Sequence, residues 1–199
     1  MMSVKVKVVE SLDAAEPAAA VGTGAVKLAE GKETTGANET AETAEPVDPV
    51  NMQRPGWDEY FLELAAVIAR RSTCLRRNYG AVIVKDNIIV STGYNGAARG
   101  EPNCVDTGAC VRRQLNVPAG ERYELCVAVH AEQNAIIAGD PVKMRDATIY
   151  IAGNEADGSV AVSVPCLLCH RMIQNAMIRR VVFRDAGGVK RNVRFGLTE

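Results

Sequence analysis

The apolar and polar positions of the chain predict a helix followed by a strand hairpin. Between Trp57 and Arg71 the apolar residues recur every three or four positions, which places them on one helix face. The residues on this face are Trp57, Tyr60, Phe61, Leu64, Ala65 and Ile68. Two runs of strand-like composition follow, at Tyr79–Val84 and Ile88–Thr92. The intervening Lys85-Asp86-Asn87 is typical of a turn, so we expect these strands to form an antiparallel hairpin.

After the hairpin, the pattern alternates helices with strands. Residues 93–100 are predicted to form a loop, and residues 101–128 to hold only a short helix at Cys110–Leu115. The later elements are a helix over His130–Ala138, a strand over Ala147–Ala152, a helix over Cys166–Ala176 with Pro165 at its first position, a strand over Arg180–Arg184 and an edge strand over Val193–Leu197. The predicted fold class is therefore α/β, a three-layer α/β/α arrangement around a central mixed sheet of about five strands.

The first 50 residues differ in composition from the rest of the chain. They hold four Lys, no Arg and nine Asp or Glu, and they contain no aromatic residue, Cys or His. Such a segment cannot bury enough apolar surface to offset the entropy lost on ordering. We therefore expect residues 1–52 to form a disordered acidic tail and residues 53–199 to form one folded domain. An alternative is that Met52 is the true first residue.

Overall composition excludes several classes of function. The whole chain has 23 basic and 24 acidic residues, so no strong field favours nucleic acid as a partner. No run approaches the roughly 18–20 apolar residues of a membrane span, and no secretory signal is evident. We therefore expect a cytoplasmic protein. Six cysteines in a reducing compartment favour metal ligation or catalysis over disulfides.

Two short motifs carry the clearest chemistry. His130-Ala131-Glu132 opens one predicted helix, and Pro165-Cys166-Leu167-Leu168-Cys169 opens another. One His and two Cys supply three zinc ligands and leave the fourth position open, which is typical of a catalytic site. The helix dipole and the unpaired N–H groups at a helix start lower thiol pKa values and favour metal binding.

Glu132 is the candidate proton carrier of this site. Residues two apart do not share a helix face, so the His130/Glu132 pair must lie at the helix start. Zinc lowers the pKa of water from 15.7 to about 7, and a carboxylate nearby can take the proton and pass it to a ring nitrogen and a leaving amine. H-x-E together with P-C-x-x-C is the signature of zinc-dependent base deaminases. The alternatives are a dithiol redox pair or core cysteines at Cys166 and Cys169, and a core histidine at His130.

On these residues the chain resembles the deoxycytidylate (dCMP) deaminases of the cytidine deaminase-like superfamily. The similarity runs from about Trp57 to Arg184 and includes, in order, WDEYF, RSTCLRR, GAVIVKDN, IVSTGYNGAARG, VHAEQNAI and PCLLC. It implies a zinc at His130, Cys166 and Cys169 with Glu132 as proton shuttle. It also implies hydrolysis of dCMP to dUMP and ammonia, which supplies dUMP for thymidylate synthesis.

The resemblance extends to the substrate and to regulation. It implies that Asn95 contacts the nucleotide and that Arg76 faces the 5′-phosphate. The alternatives are a turn residue at Asn95 and a solvated surface arginine at Arg76. Family members are commonly homo-oligomers, often hexamers, and often regulated by dCTP and dTTP bound with Mg²⁺, so we carry these properties over as expectations.

Four further cysteines lie before His130, at Cys74, Cys104, Cys110 and Cys126. Several family members hold a second, structural zinc in this region, so the resemblance implies a closed four-thiolate site that pins residues 101–128. The alternative is a set of ordinary buried thiols.

The chain also departs from the family pattern. The connection between Cys110 and Cys126 is long, and fourteen residues, 151–164, separate Tyr150 from Pro165 where the family has only a few. Because this second segment leads into the zinc helix, it could reshape the base pocket. His170 is predicted to be a partly exposed helix residue rather than a ligand. Arginines considered as phosphate or interface residues, with a solvated face as the alternative, are Arg99, Arg112, Arg113 and Arg122.

Two other functions are therefore weighed against dCMP deamination. One is deamination of another nucleotide, a nucleoside or tRNA adenosine, which the basic C-terminal stretch weakly favours. The other is a non-enzymatic zinc module, which Glu132 argues against because a structural site needs no carboxylate beside its metal.

Overall fold

The computed structural model describes residues 54–118 and 120–195. The predicted tail, residues 1–52, lies outside the described residues. The helices are α1 (Trp57–Ala69), α2 (Cys104–Thr107), α3 (Val111–Gln114), α4 (Ala131–Ala138), α5 (Pro141–Met144) and α6 (Leu167–Asn175), with a 3₁₀ turn at Tyr123–Leu125. The strands are β1 (Arg77–Lys85), β2 (Ile88–Tyr94), β3 (Gly96–Ala97), β4 (Ala128–Val129), β5 (Thr148–Glu155), β6 (Arg180–Arg184) and β7 (Lys190–Arg194).

A five-stranded mixed sheet forms the centre of the domain, in the order β2-β1-β5-β6-β7. Strands β5 and β6 are parallel, and the other neighbouring strands are antiparallel. A parallel pair needs a crossover connection, and here α6 supplies it. Among the described residues, no helix is long and apolar enough to cross a membrane.

Alternate residues of the central strands are buried on opposite faces of the sheet. Ala81 and Ile83 of β1 face α4 and α6, whereas Val82 and Val84 pack with α1. The same alternation recurs in β5 and β6, as expected for strands covered on both sides. This arrangement confirms the predicted three-layer α/β/α fold.

The β1–β2 hairpin also confirms the prediction, with a tighter turn than expected. Lys85 pairs with Ile88, so only Asp86 and Asn87 form the turn. Both have left-handed backbone conformations, with φ of 50° and 61°. Asp and Asn tolerate this region better than most residues, which explains their place in a two-residue hairpin turn.

The face that helix α1 turns to the sheet overlaps the predicted one only at Phe61 and Ala65. Its buried residues are Phe61, Leu62, Ala65 and Ala69, whereas Trp57 and Tyr60 are 57% and 41% exposed. The reason is the close approach of α1 to Gly80 of β1. A Cβ at Gly80 would lie 2.1 Å from the Ala65 carbonyl oxygen, so small residues must face the strand at this point.

Other boundaries differ locally from the predictions. Strand β2 extends to Tyr94 and β3 lies inside the predicted 93–100 loop, while α2 was not expected. The last strand begins at Lys190, because Asp185 Oδ1 accepts hydrogen bonds from the backbone N–H groups of Gly187 and Val189 and closes a tight turn. The observed strand, Lys190–Arg194, therefore starts three residues before the predicted edge strand, Val193–Leu197.

Asp58 in the first turn of α1 connects this helix to three strands. Its Oδ1 accepts hydrogen bonds from the Tyr150 hydroxyl at 2.9 Å and from Arg180 Nη1 at 2.8 Å. Its Oδ2 accepts from Arg180 Nη2 at 2.6 Å and lies 3.5 Å from Lys190 Nζ. Burial raises the pKa of this carboxyl, but the hydrogen bonds and charge of Arg180, with Tyr150 and Lys190, outweigh burial and hold it below its usual value.

We predict that Asp58→Asn lowers the free energy of unfolding at pH 7 by about 1.5–3 kcal/mol, because it removes the charge from a two-pronged, mostly buried pair. A carboxyl with a lowered folded-state pKa stabilises above its unfolded-state pKa and loses that effect as pH falls through the folded-state value. The difference between wild type and variant should therefore be constant near neutrality and shrink below about pH 4 in urea denaturation curves.

The matched control is Asp146→Asn, because Asp146 and its partner Arg179 are 50% and 57% exposed. We expect this variant to change stability by less than about 1 kcal/mol. Equal effects of the two substitutions would contradict the role given to Asp58.

Candidate active site

Helix α4 is held against the edge of the sheet by three contacts with β2. Gly93 allows the closest approach, because a Cβ there would lie 2.4 Å from both the Ala131 carbonyl oxygen and the Ala135 nitrogen. The Ser91 hydroxyl donates to the Ala135 carbonyl at 2.7 Å, and Asn134 Nδ2 donates to the Tyr94 carbonyl at 2.8 Å. The N-terminus of α4 is thereby fixed relative to β2.

His130 is the N-cap residue of α4. It directly follows β4, whose pairing with β3 aligns Val129 opposite Gly96. Its backbone N–H donates to Gln133 Oε1 at 2.9 Å, which gives this N–H group a hydrogen-bond acceptor just before the helix begins. As predicted, Glu132 lies in the first turn of the same helix, so both side chains belong to one helix start.

Cys166 is the N-cap residue of α6, and Cys169 is fully buried in its first turn. The prediction that Pro165 occupies the first helical position is wrong. The backbone of Cys166 is extended, with ψ of 165°, so the helix begins only at Leu167 and Pro165 precedes the cap. The consequence is that the Cys166 thiol lies at the helix end, beside unpaired backbone N–H groups.

The structure brings the three predicted ligands of the catalytic zinc together. His130 Nδ1 lies 3.5 Å from Cys166 Sγ and 3.4 Å from Cys169 Sγ. A tetrahedral zinc with Zn–N of about 2.0–2.1 Å and Zn–S of about 2.3 Å requires N···S separations of about 3.5 Å. The side chains therefore fit the ion in the arrangement they already have.

The thiols of Cys166 and Cys169 change each other's pKa through a hydrogen bond. The hydrogen bond with Cys169 is the largest influence on Cys166 and, with His130, lowers the pKa of its thiol to about 4 despite burial. The same hydrogen bond and burial raise the pKa of Cys169. The hydrogen bond with Cys166, in which the protonated imidazole donates to the sulfur, also raises the pKa of His130, against the effect of burial. Zinc binds deprotonated thiols and neutral imidazole, so metal binding would release the protons that His130, Cys166 and Cys169 share.

Glu132 is buried beside this cluster, with 6% of its surface exposed. Burial raises the pKa of its carboxyl above the usual value, although a backbone hydrogen bond and the nearby His130 oppose the rise. A carboxyl in this state both accepts and returns a proton more readily near neutral pH than a solvated one.

A cavity of about 140 Å³ opens in front of these residues. His130, Glu132 and Cys166 line it, and so do Arg76 and Asn95. The residues predicted for metal, proton transfer and substrate therefore share one cavity. Their individual roles stay predictions.

The two predicted substrate-binding residues differ in how far their polar atoms are already used. Asn95 Oδ1 accepts from the Tyr79 N–H at 2.7 Å and its Nδ2 donates to the Arg77 carbonyl at 2.9 Å, so it also fixes the end of β1. Arg76 Nη1 is buried without a hydrogen-bond partner among the described residues. Of the two, Arg76 has more donor capacity left for a ligand.

The four remaining cysteines line the same cavity. Burial raises the pKa of Cys104, and the charges of the other three thiols raise it further, so Cys104 interacts electrostatically with each of them. The backbone N–H of Arg76 donates to Cys74 Sγ at 3.4 Å. In the part of the chain that the structure describes, only His130, Cys166 and Cys169 bring three potential ligand atoms within 4.8 Å of one another.

Residues 151–164 fold back along the sheet instead of forming an open loop. Strand β5 continues to Glu155, whose N–H donates to the Ser159 carbonyl at 2.8 Å. The Ala161 N–H then donates to the Gly153 carbonyl at 2.9 Å. The returning chain carries Ser163 and Val164 into the cavity wall. The segment therefore contributes directly to the pocket.

Two tyrosines in the cavity wall were not singled out from the sequence. The Tyr79 hydroxyl donates to the Val162 carbonyl at 3.0 Å and so holds the returning segment. The Tyr123 ring packs edge-on against His130, with 4.9 Å between ring centroids. Neither residue belongs to a motif. The signal available was the length of two segments, one of which contains Tyr123 and the other Val162, the partner of Tyr79.

The arginines considered from the sequence divide into two groups. Arg99, Arg113 and Arg122 are exposed, whereas Arg112 is buried and lines the cavity. His170 is partly exposed and packs edge-on against Phe195, in agreement with its predicted position on the helix surface.

Comparisons with known proteins give a consistent result. The family model of the cytidine and deoxycytidylate deaminase zinc-binding region matches residues 55–185. The deoxycytidylate deaminase of Mycobacterium phage D29 is 41% identical over 137 residues, which cover 66% of this chain and 97% of that protein. The deoxycytidylate deaminase of Schizosaccharomyces pombe is 36% identical over 152 residues, covering 74% of this chain but only 42% of that protein.

Among solved structures, the apo dCMP deaminase of cyanophage S-TIM5 is similar, with a TM-score of 0.46 and 24% identity. The match covers 68% of this chain and 89% of that one.

We predict that Gly93→Ala lowers the free energy of unfolding by about 1–3 kcal/mol or more and weakens zinc binding, because α4 must move away from β2 and take His130 with it. Chemical denaturation and zinc titration against a chelator measure the two effects. Gly187→Ala is the control, because a Cβ there would meet its nearest atom at 3.5 Å. Unchanged stability and zinc affinity in the Gly93 variant would contradict this account of how α4 is placed.

Proposed function

Because this chain belongs to the cytidine and deoxycytidylate deaminase family, we propose that it hydrolyses dCMP to dUMP and ammonia. The observation that supports this most strongly is the placement of His130 Nδ1 within 3.4–3.5 Å of two cysteine thiols, beside the buried Glu132, in one cavity. The cofactor that fits these ligands is Zn²⁺. The chain matches less than half the length of its fission-yeast relative.

The proposed reaction replaces the exocyclic amine of the base with an oxygen from water. A zinc ion held by His130, Cys166 and Cys169 supplies Lewis-acid chemistry that makes water ionise near neutral pH. Glu132 takes one proton from the attacking water and delivers it to the ring nitrogen next to the reacting carbon. It then carries the second proton to the amine, which leaves as ammonia when the carbon–nitrogen bond breaks.

The buried position of Glu132 suits both transfers. A solvated glutamate is a weak acid donor at neutral pH, because almost none of it is protonated. Burial raises the pKa of Glu132 and therefore increases the protonated fraction that can return a proton to the substrate. Bulk water has little access to the carboxyl, since only 6% of the residue is exposed.

We propose that the substrate carries its phosphate toward Arg76 and its sugar or base toward Asn95. The unpaired Arg76 Nη1 supports this orientation, because a guanidinium binds phosphate with two parallel hydrogen bonds. Asn95 keeps one amide hydrogen for a nucleotide after its bond to Arg77. The presence of Ser163 and Val164 in the wall is the observation that favours a second candidate, deamination of another nucleotide.

A second zinc at Cys74, Cys104, Cys110 and Cys126 is part of the proposal. Their common cavity, their electrostatic interaction and the N–H···S bond to Cys74 support it. Binding would require the thiols to draw closer than they are here. Such a site would pin residues 101–128, whose described part holds several short helical turns.

Assembly, regulation and location remain proposals of the same kind. Exposed apolar side chains on two helices, including Trp57, Val67 and Ile137, support a homo-oligomer, and a hexamer agrees with the family resemblance. Regulation by dCTP and dTTP with Mg²⁺ rests on that resemblance alone. A cytoplasmic location agrees with a substrate from nucleotide metabolism.

We predict that Glu132→Gln keeps the fold and its zinc but lowers turnover of dCMP by about 10²–10⁴-fold, because an amide cannot carry the proton. Ammonia release is measured on dCMP, CMP, deoxycytidine, cytosine and adenosine-containing RNA, with zinc per chain determined on the same sample. The control is Glu124→Gln, at an exposed glutamate, which should turn over normally. Near-normal activity of the Glu132 variant would refute the mechanism.

We predict that Cys110→Ser lowers the metal content from two zinc ions per chain toward one and lowers the melting temperature, because a structural zinc contributes to folding. Atomic absorption and thermal denaturation measure both quantities. An unchanged stoichiometry together with an unchanged melting temperature would remove the second zinc from the proposal and leave the four residues as ordinary thiols.

A further inference from the structure

We infer that Arg112 is a second anion-binding residue of the cavity and that, with Arg76, it binds the phosphate monoester of the nucleotide. The inference deepens the proposed function and rests on it for the identity of the ligand. Arg112 lies on α3, in the long connection between Cys110 and Cys126.

The burial of Arg112 is the first observation. Only 7% of the residue is exposed, and it lines the cavity together with Arg76 and Glu132. A guanidinium keeps its proton in proteins, so burial cannot be relieved by loss of charge as it can for lysine. A buried cation of this kind needs a partner that supplies negative charge or hydrogen-bond acceptors.

The described residues supply only some of the hydrogen-bond acceptors that the Arg112 guanidinium needs. Arg112 Nη2 donates to the Pro118 carbonyl at 3.0 Å, and the guanidinium lies over the Tyr123 ring, 4.9 Å from its centroid. Both contacts fix the orientation of the group. Its Nε is buried without a hydrogen-bond partner, and no carboxylate of the described residues forms an ion pair with it.

Arg76 repeats this feature in the same cavity. Its Nη1 is the other buried guanidinium nitrogen lining this space that has no partner among the described residues. Two unpaired arginine donors in one cavity match the needs of a phosphate, which offers several acceptor oxygens and a double negative charge. A neutral nucleoside would leave both donors unpaired.

The Tyr123 ring contacts both Arg112 and a metal ligand. The Arg112 guanidinium lies over this ring, which also packs edge-on against His130. These contacts hold the Arg112 side chain in the wall of the cavity that the metal ligands also line.

A different role for Arg112 is a counter-ion for the four cysteines, because Cys110 is the N-cap residue of its helix and a four-thiolate zinc is negatively charged. The two roles make different predictions. A counter-ion affects metal content and both substrates alike, whereas a phosphate ligand affects only substrates that carry phosphate.

The experiment compares wild type, Arg112→Gln and Arg112→Lys, with Arg171→Gln as a control for loss of an exposed positive charge. Values of kcat/KM are measured for dCMP and deoxycytidine, and zinc per chain is determined for each protein. We expect Arg112→Gln to lower kcat/KM for dCMP by about 10–100-fold and that for deoxycytidine by less than about 3-fold, with zinc unchanged. Arg112→Lys should lose less activity toward dCMP, because lysine keeps the positive charge but lacks the paired N–H donors of a guanidinium.

A second measurement does not depend on turnover. Inorganic phosphate should raise the melting temperature of the wild-type holoenzyme and should raise that of Arg112→Gln markedly less. Equal losses on dCMP and deoxycytidine, a lost zinc equivalent, or identical phosphate shifts in the two proteins would each overturn the inference. A wild type that releases no ammonia from either substrate would refute the proposed function, while the phosphate shifts would still decide the role of Arg112.

Discussion

The meeting of two helix N-termini at one point is the constraint on which the rest of the site depends. His130 caps α4 and Cys166 caps α6, so both ligands lie where backbone N–H groups have no helical partner. These ends carry partial positive charge, which stabilises thiolates and a buried carboxylate. If either helix moved along its axis by one residue, about 1.5 Å, the 3.4–3.5 Å separations at His130 Nδ1 would be lost.

The sheet provides the rigidity that this constraint requires. Helix α4 lies in contact with β2 at Gly93, and α6 connects the parallel strands β5 and β6. Because β1 and β5 pair along eight residues between these elements, the two helices share one framework. On the opposite face, Asp58 binds Tyr150 of β5 and Arg180 of β6, so α1 supports the same strands from behind. The packing of α1 on one face of the sheet therefore stabilises the positions of α4 and α6 on the other face.

Much of this could be predicted from local patterns. The strand-like runs Tyr79–Val84 and Ile88–Thr92 and the turn residues between them predicted a hairpin. The two motifs indicated that His130, Cys166 and Cys169 share a site. These features depend on neighbours in sequence. The buried face of α1 could not be predicted in this way, since it depends on the missing side chain of Gly80, which belongs to another element. The start of α6 after Cys166 likewise depends on a backbone turn that the proline alone does not determine.

Residues of the cavity wall were the hardest to predict for the same reason. Arg112 is one of several arginines in a polar, irregular stretch, and composition treats all of them as solvated. Its burial goes with the contacts that it makes with the Tyr123 ring and the Pro118 carbonyl, which come from other positions in the chain. The result is one cavity that holds two kinds of group. A buried carboxyl with a raised pKa lies beside the metal ligands, and two guanidinium groups line the same space. A nucleoside monophosphate suits both kinds of group, because it joins an amino-substituted base to an anion.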